Sequence, residues 1–145
     1  PSSIIVNINQ RGNPLLKYLR NVPWCHDDCP GDYEVAPRHG CIFLSLRYHR
    51  LHPTYIYDRL RALGDHYLLR ILLVQVDMLG SPERSLRELT RLCMSMQLTM
   101  LVAWSAEEAA RYLETLKAFE RKPVDLIKEK LSDDPLERMT TVLTK

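Results

Sequence analysis

Acid is missing from two long stretches of this chain. No Asp or Glu precedes Asp27, and none lies between Glu34 and Asp58. The two windows hold Arg11, Lys17, Arg20, Arg38, Arg47 and Arg50, together with His26, His39, His49 and His52. If they meet in the fold, one face is basic although the net charge is only +2, and a polyanion or an acidic peptide becomes a plausible partner. Long apolar runs are also missing, so no membrane-crossing helix and no membrane partner are expected. There is no internal repeat and no low-complexity segment. The chain lacks an initiator Met and stops at Lys145, which we read as a fragment of a longer protein.

Cysteine is sparse: Cys25, Cys29, Cys41 and Cys93. Cys25-His26-Asp27-Asp28-Cys29, with His39 and Cys41 beyond, offers enough donors to sketch a zinc site, but the spacing is not that of a ribbon or finger. Reduced, partly buried thiols are the expectation, with no metal and no cofactor. At 145 residues and 46% hydrophobic content the chain suits one domain over residues 1–145, because two would each have a thin core.

The order of elements follows from local chemistry. Ser3 to Ile8 reads as a short buried strand. Asn13-Pro14 opens a helix, Asn capping and Pro in the first turn, which ends at Val22-Pro23. Trp24 to Gly31 reads as loop. Asp32 to Val35 and Cys41 to Leu46 read as a hairpin. Pro53 starts a helix with Ile56, Leu60 and Leu63 inward and Gly64 as its stop. Leu69 to Val76, β-branched and unbroken, predicts a central strand covered on both faces. Ser81-Pro82 opens a helix carrying Leu86, Leu89, Leu92, Cys93 and Met96. Thr99 to Trp104 is a strand, and Ser105-Ala106-Glu107-Glu108 is a capping box for a helix ending near Pro123. Another helix runs from Pro123 to about Leu131, and a last one begins at Pro135. Trp24 and Trp104 read as structural. Strands alternating with helices predict a three-layer α/β/α sandwich with a mainly parallel central sheet.

By the period of two, Phe43, Ser45 and Arg47 share one face of their strand, while Ile42, Leu44 and Leu46 face the core. Tyr48 and His49 follow the strand, Tyr55 and Arg59 share one side of the next helix, and Asn13 caps a helix start. Aromatic rings, small polar groups and guanidiniums suit an extended peptide or a single strand of DNA.

Several words in the sequence carry a resemblance: Arg11-Gly12-Asn13-Pro14, Asn21-Val22-Pro23-Trp24, Phe43-Leu44-Ser45-Leu46-Arg47-Tyr48-His49, Leu51-His52-Pro53, Leu72 to Asp77, Ala103-Trp104-Ser105 and Arg111 to Thr115. Together they resemble the central domain of the excision repair cross-complementation group one family. Those proteins are the non-catalytic partners of the xeroderma pigmentosum group F endonuclease. The resemblance implies a nuclease-like fold, a role in nucleotide excision repair and a nuclear location. In the catalytic relatives a Gly-Asp pair is followed on the next strand by Glu-Arg-Lys, whose carboxylates hold a divalent cation. Here Gly31-Asp32-Tyr33 is followed by Phe43-Leu44-Ser45, and neither Phe nor Ser binds such a cation well. No catalytic residue is therefore expected; the alternative is a divergent metal-dependent nuclease built on Asp32 and an acid from elsewhere.

The resemblance implies that the vacated groove docks a short segment of the xeroderma pigmentosum group A protein through Gln10, Gly12, Asn13, Pro14, Asp32, Phe43, Ser45, Tyr48, Tyr55 and Arg59. It also implies weak single-stranded DNA binding, which Arg11, Lys17, Arg20, Arg47 and Arg50 could serve. The family's tandem helix-hairpin-helix units, which pair with the group F subunit, have no counterpart after Pro135, so a monomer is expected. The Cys25–Pro30 loop departs from the family pattern.

Overall fold

The computed structural model describes residues 3–132. Six strands form one sheet: β1 (Ile4–Val6), β2 (Trp24–His26), β3 (Tyr33–Ala36), β4 (His39–Ser45), β5 (Leu69–Gln75) and β6 (Thr99–Ala103). Their order is β2-β1-β3-β4-β5-β6, with only β3 antiparallel to its neighbours. The helices are α1 (Leu46–Leu51), α2 (Tyr55–Leu63), α3 (Glu83–Met96), α4 (Ala106–Ala118) and α5 (Val124–Ser132), with two 3-10 turns at Ile8–Gln10 and Pro14–Tyr18.

Alternation along the strands divides the core. Ile4, Val6, Cys41, Ile71, Leu73 and Leu101 face one side, where α4 contributes Ala109, Leu113 and Leu116 and α5 contributes Ile127 and Leu131. Ile42, Leu44, Leu72, Val74 and Val102 face the other, against Ile56, Leu60 and Leu63 of α2 and Leu86, Leu89 and Cys93 of α3. The expected three-layer α/β/α sandwich with a mainly parallel sheet is what forms. β5 is covered on both faces and its Leu72, Leu73 and Val74 are wholly buried, which explains the unbroken apolar run Ile71–Val74, Arg70 being the break before it.

Local signals were read correctly where they are chemical. Asn13 Oδ1 accepts the Leu15 N–H at 3.0 Å, Ser105 Oγ accepts that of Glu108 at 3.1 Å, and Gly64 ends α2 at φ +59°. Three expectations need correction. The segment after Pro14 is a 3-10 turn of five residues, not a helix reaching Val22. Trp24–His26 is not loop but an edge strand in parallel register with β1, Ile4 opposite Trp24. β4 stops at Ser45, whose side chain caps α1, so Arg47 lies on a helix and not on a strand face with Phe43 and Ser45. The helix expected from Pro135 lies outside the described residues. Among the described residues no helix is long and apolar enough to cross a membrane.

Candidate functional site

The carboxyl ends of β4 and β5, the first 3-10 turns and the start of α1 surround an open groove. Parallel α/β sheets form crevices at such strand ends, because the chain departs in different directions from neighbouring strands. The groove has two compartments that share Gln10, Phe43 and Ser45. One, of about 290 Å³, is completed by the Tyr48 and Tyr55 rings. The other, of about 470 Å³, adds the polar side chains of Asn9, Asn13, Arg47, Gln75 and Asp77, together with Pro14.

Asp32 lies beneath the aromatic side and is wholly buried. Its Oδ1 accepts from Arg59 at 2.7 Å and from Asn9 Nδ2 at 3.1 Å, and its Oδ2 accepts the Phe43 N–H at 2.8 Å. Burial works against the Arg59 charge, but the Asp32 carboxylate, with the Tyr55 hydroxyl assisting, outweighs it and raises the Arg59 pKa. A guanidinium thus supplies the positive charge that a cation would bring to this carboxylate. Arg59 also donates to the Tyr55 hydroxyl at 3.1 Å, and Tyr55 packs edge-on against Tyr48 with centroids 4.9 Å apart. Tyr48 in turn lies against His52 at 4.4 Å. The groove's aromatic wall is therefore anchored to the sheet through one buried ion pair.

Asp77 secures the opposite side. It accepts from Ser45 Oγ at 2.5 Å and from the Arg47 N–H at 2.9 Å, while Ser45 Oγ accepts the Tyr48 N–H at 3.1 Å. These bonds satisfy free N–H groups in the first turn of α1 and set where Tyr48 projects. Tyr67 buttresses the floor: its hydroxyl accepts the Gly31 N–H at 3.1 Å and donates to Glu34 at 2.8 Å. Its ring covers Gly40 so closely that a Cβ there would sit 2.1 Å from a ring carbon.

Of the residues expected at a peptide site, Gln10, Asn13, Pro14, Phe43, Ser45, Tyr48 and Tyr55 line the groove. Asp32 and Arg59 support it from below, and Gly12 lies on an exposed loop at φ +93°. Asn9, Gln75 and Asp77 were missed as lining residues. Gln75 pairs with Ser45 in the sheet, so the register of β4 with β5 was the signal that would have found Gln75 and Asp77.

The two acid-free windows do meet, since Asn13, Pro14 and Arg47 wall one compartment. Arg11, Lys17, Arg20 and Arg47 are exposed. Lys17 and Arg20 lie over the Tyr18 ring, 5.7 Å and 5.8 Å from its centroid. Arg50 is engaged otherwise: it donates to the Ser81 carbonyl at 2.9 Å and to Ser85 Oγ at 3.4 Å, tying α1 to the start of α3.

The cysteines do not assemble a metal centre, and no three His, Cys, Asp or Glu side chains among the described residues converge on one. Cys25 is exposed and Cys41 buried. Burial, then the charges of Glu34 and Asp32, push the Cys29 thiol up to about 12, which disfavours the thiolate that zinc requires.

A family profile described as the binding domain of DNA repair protein Ercc1 (rad10/Swi10) matches residues 1–123. The mating-type switching protein swi10 of Schizosaccharomyces pombe is 49% identical over 142 residues, covering 98% of this chain and 56% of the relative. The DNA excision repair protein ERCC-1 of Arabidopsis thaliana is 43% identical over 143 residues, covering 99% and 35%. The DNA repair protein RAD10 of Saccharomyces cerevisiae is 37% identical over 120 residues, covering 79% and 56%. The chain thus spans between about a third and just over half of these relatives' length. Among solved structures, XPF from Aeropyrum pernix in complex with DNA shares the fold, with a TM-score of 0.70 at 18% identity over 85% of this chain and 66% of that one. The profile over most of the chain and these identities place it in a family: the chain belongs to the Ercc1 (rad10/Swi10) DNA repair proteins, as their binding domain.

Proposed function

We propose that this domain is a non-catalytic docking module of a DNA repair endonuclease, which captures a short extended peptide in the groove at the ends of β4 and β5. The observation that carries the reading is the Asp32–Arg59 pair. The carboxylate that a nuclease would offer to a cation already has a guanidinium at 2.7 Å, and the next strand presents Phe43 and Ser45 instead of acid and Lys. A metal-dependent cut would need Arg59 displaced and a second carboxylate supplied. The lining favours a peptide for chemical reasons. Amides of Asn9, Gln10, Asn13 and Gln75 can donate to and accept from a peptide backbone, while Tyr48 and Tyr55 cover an apolar residue.

The resemblance to the excision repair family names the peptide as a segment of the xeroderma pigmentosum group A protein, and it makes the group F endonuclease the partner of the longer protein. A nuclear location belongs to the same reading, as expected of a DNA repair protein. Single-stranded DNA binds weakly, over the rim formed by Arg11, Lys17 and Arg20. NMR titration with the group A segment tests the reading. Shifts should concentrate on Asn13, Tyr48 and Tyr55, and saturation without them would show that the peptide site is elsewhere.

A further inference from the structure

The polar compartment contains one carboxylate among its described lining residues, that of Asp77, and one guanidinium, that of Arg47. Asp77 is exposed at the mouth of this compartment, and its charge is met by the Ser45 hydroxyl and the Arg47 N–H, with no ion pair to another side chain among the described residues. The other nearby acid, Asp32, is buried and neutralised by Arg59. We propose that Asp77 is the specificity-determining residue of the groove: its charge excludes phosphate, and so reserves the compartment for an uncharged peptide backbone.

The physical argument has two parts. First, the carboxylate and the Arg47 guanidinium leave the compartment with no net charge, and the remaining walls are uncharged: four side-chain amides, the Ser45 hydroxyl, Phe43 and Pro14. A phosphate that gained from Arg47 would face Asp77 across the same space, whereas a peptide backbone meets no repulsion. Second, the other basic side chains, Arg11, Lys17 and Arg20, are exposed outside this lining, so a DNA strand held by them keeps to the rim. The cost of the arrangement falls on DNA binding, which is otherwise favoured wherever positive side chains cluster. Asp77 also holds the first turn of α1, so one side chain both shapes the aromatic wall and sets the sign of its neighbour.

This rests on the reading of the groove as a peptide site, but its test is separable. Wild-type domain, Asp77→Asn and Asp77→Glu are compared for binding of a short oligothymidylate by fluorescence anisotropy across a salt series. Asp77→Asn should bind roughly two- to fivefold tighter at low salt, the size of one solvent-facing charge contact. Its salt slope should steepen by about 0.7 for an added phosphate contact, and new shifts should appear at Asn13 and Gln75. Asp77→Glu keeps the charge and loses the short reach of Asp. A gain that Asp77→Glu shares would trace to loosened α1 and overturn the proposal, as would no gain in Asp77→Asn. Peptide titration of the wild type reports on the groove reading, so a domain that fails to bind peptide while Asp77→Asn gains DNA would refute that reading and the reservation for peptide, and leave standing the exclusion of phosphate by Asp77.

Discussion

Arg59 donates to a fully buried carboxylate and steadies the Tyr55 ring, so its removal should act twice. Arg59→Ala leaves Asp32 charged and unpaired inside the protein, which costs about 3–5 kcal/mol for a buried pair, nearer the lower figure here because the Arg59 side chain keeps 18% exposure. Urea unfolding measures it, and adding Asp32→Asn should recover part of the loss. If Arg59→Ala alone unfolds at the wild-type midpoint, the pair is not what holds the wall. Tyr48 is the cleaner probe of binding, since it is exposed and its ring stacks with those of His52 and Tyr55 at the groove. Tyr48→Ala should lower peptide affinity by roughly 1–3 kcal/mol, about five- to a hundredfold, with little change in melting temperature. Calorimetry beside a thermal scan separates these two quantities.

Among the elements, the β3–β4 hairpin depends on a glycine for room. Gly40 has no Cβ where the Tyr67 ring sits, and that ring's hydroxyl satisfies the buried Gly31 N–H one residue before Asp32. Gly40→Ala must push the ring away, so we expect a loss of about 1–3 kcal/mol from overpacking, more if the Gly31 bond breaks. Thermal denaturation checks it, and amide exchange at Gly31 reports whether the hydrogen bond is lost. Helix α1 and strand β4 supply a pH effect. Burial lowers the pKa of His49 and His39, with Glu88 and Glu120 respectively pulling the other way. In each the folded state holds its proton less tightly than the unfolded chain. The contribution to stability is therefore complete above the unfolded value near 6.5 and is lost as pH falls below it. Urea midpoints should drop between about pH 7.5 and 5.5, and the drop should shrink in His49→Asn/His39→Asn.

At the scale of the whole molecule, charge is arranged so that a nearly neutral protein still presents a basic rim. If the rim binds single-stranded DNA as proposed, Arg11→Glu with Lys17→Glu should remove most of that binding, because few phosphates would be contacted and each would count. Anisotropy in low salt measures this, and unchanged affinity would place the DNA path elsewhere. Arg50→Glu behaves differently: its guanidinium joins α1 to α3, so the expected result is lower stability with a smaller effect on DNA.

Short-range features of the chain carried much of this architecture. The apolar run Ile71–Val74, the Asn13 and Ser105 caps and the Gly64 stop are legible because periodicity and capping act within a few residues. The alternation that turns Phe43 and Ser45 to the face opposite Ile42 and Leu44 was legible for the same reason, although Phe43 there is half-buried against the α4-side core, and so was the absence of acid and Lys at those positions. Apart from the helix expected after Pro14, which is only a 3-10 turn, the failures are at longer range. Arg59 is 27 residues from Asp32 and Asp77 is 32 from Ser45, and no local pattern says which strand ends will be neighbours. The parallel pairing of Trp24–His26 with Ile4–Val6 likewise adds an edge strand to a segment whose own polarity reads as loop. Arg47 left its strand because Ser45 and Asp77 together cap a helix there, and Asp77 reaches that position only once β5 lies beside β4. Local chemistry chose the elements and their inner faces. Sheet order chose the partners, because hydrogen bonds and charges act across space that sequence distance does not measure.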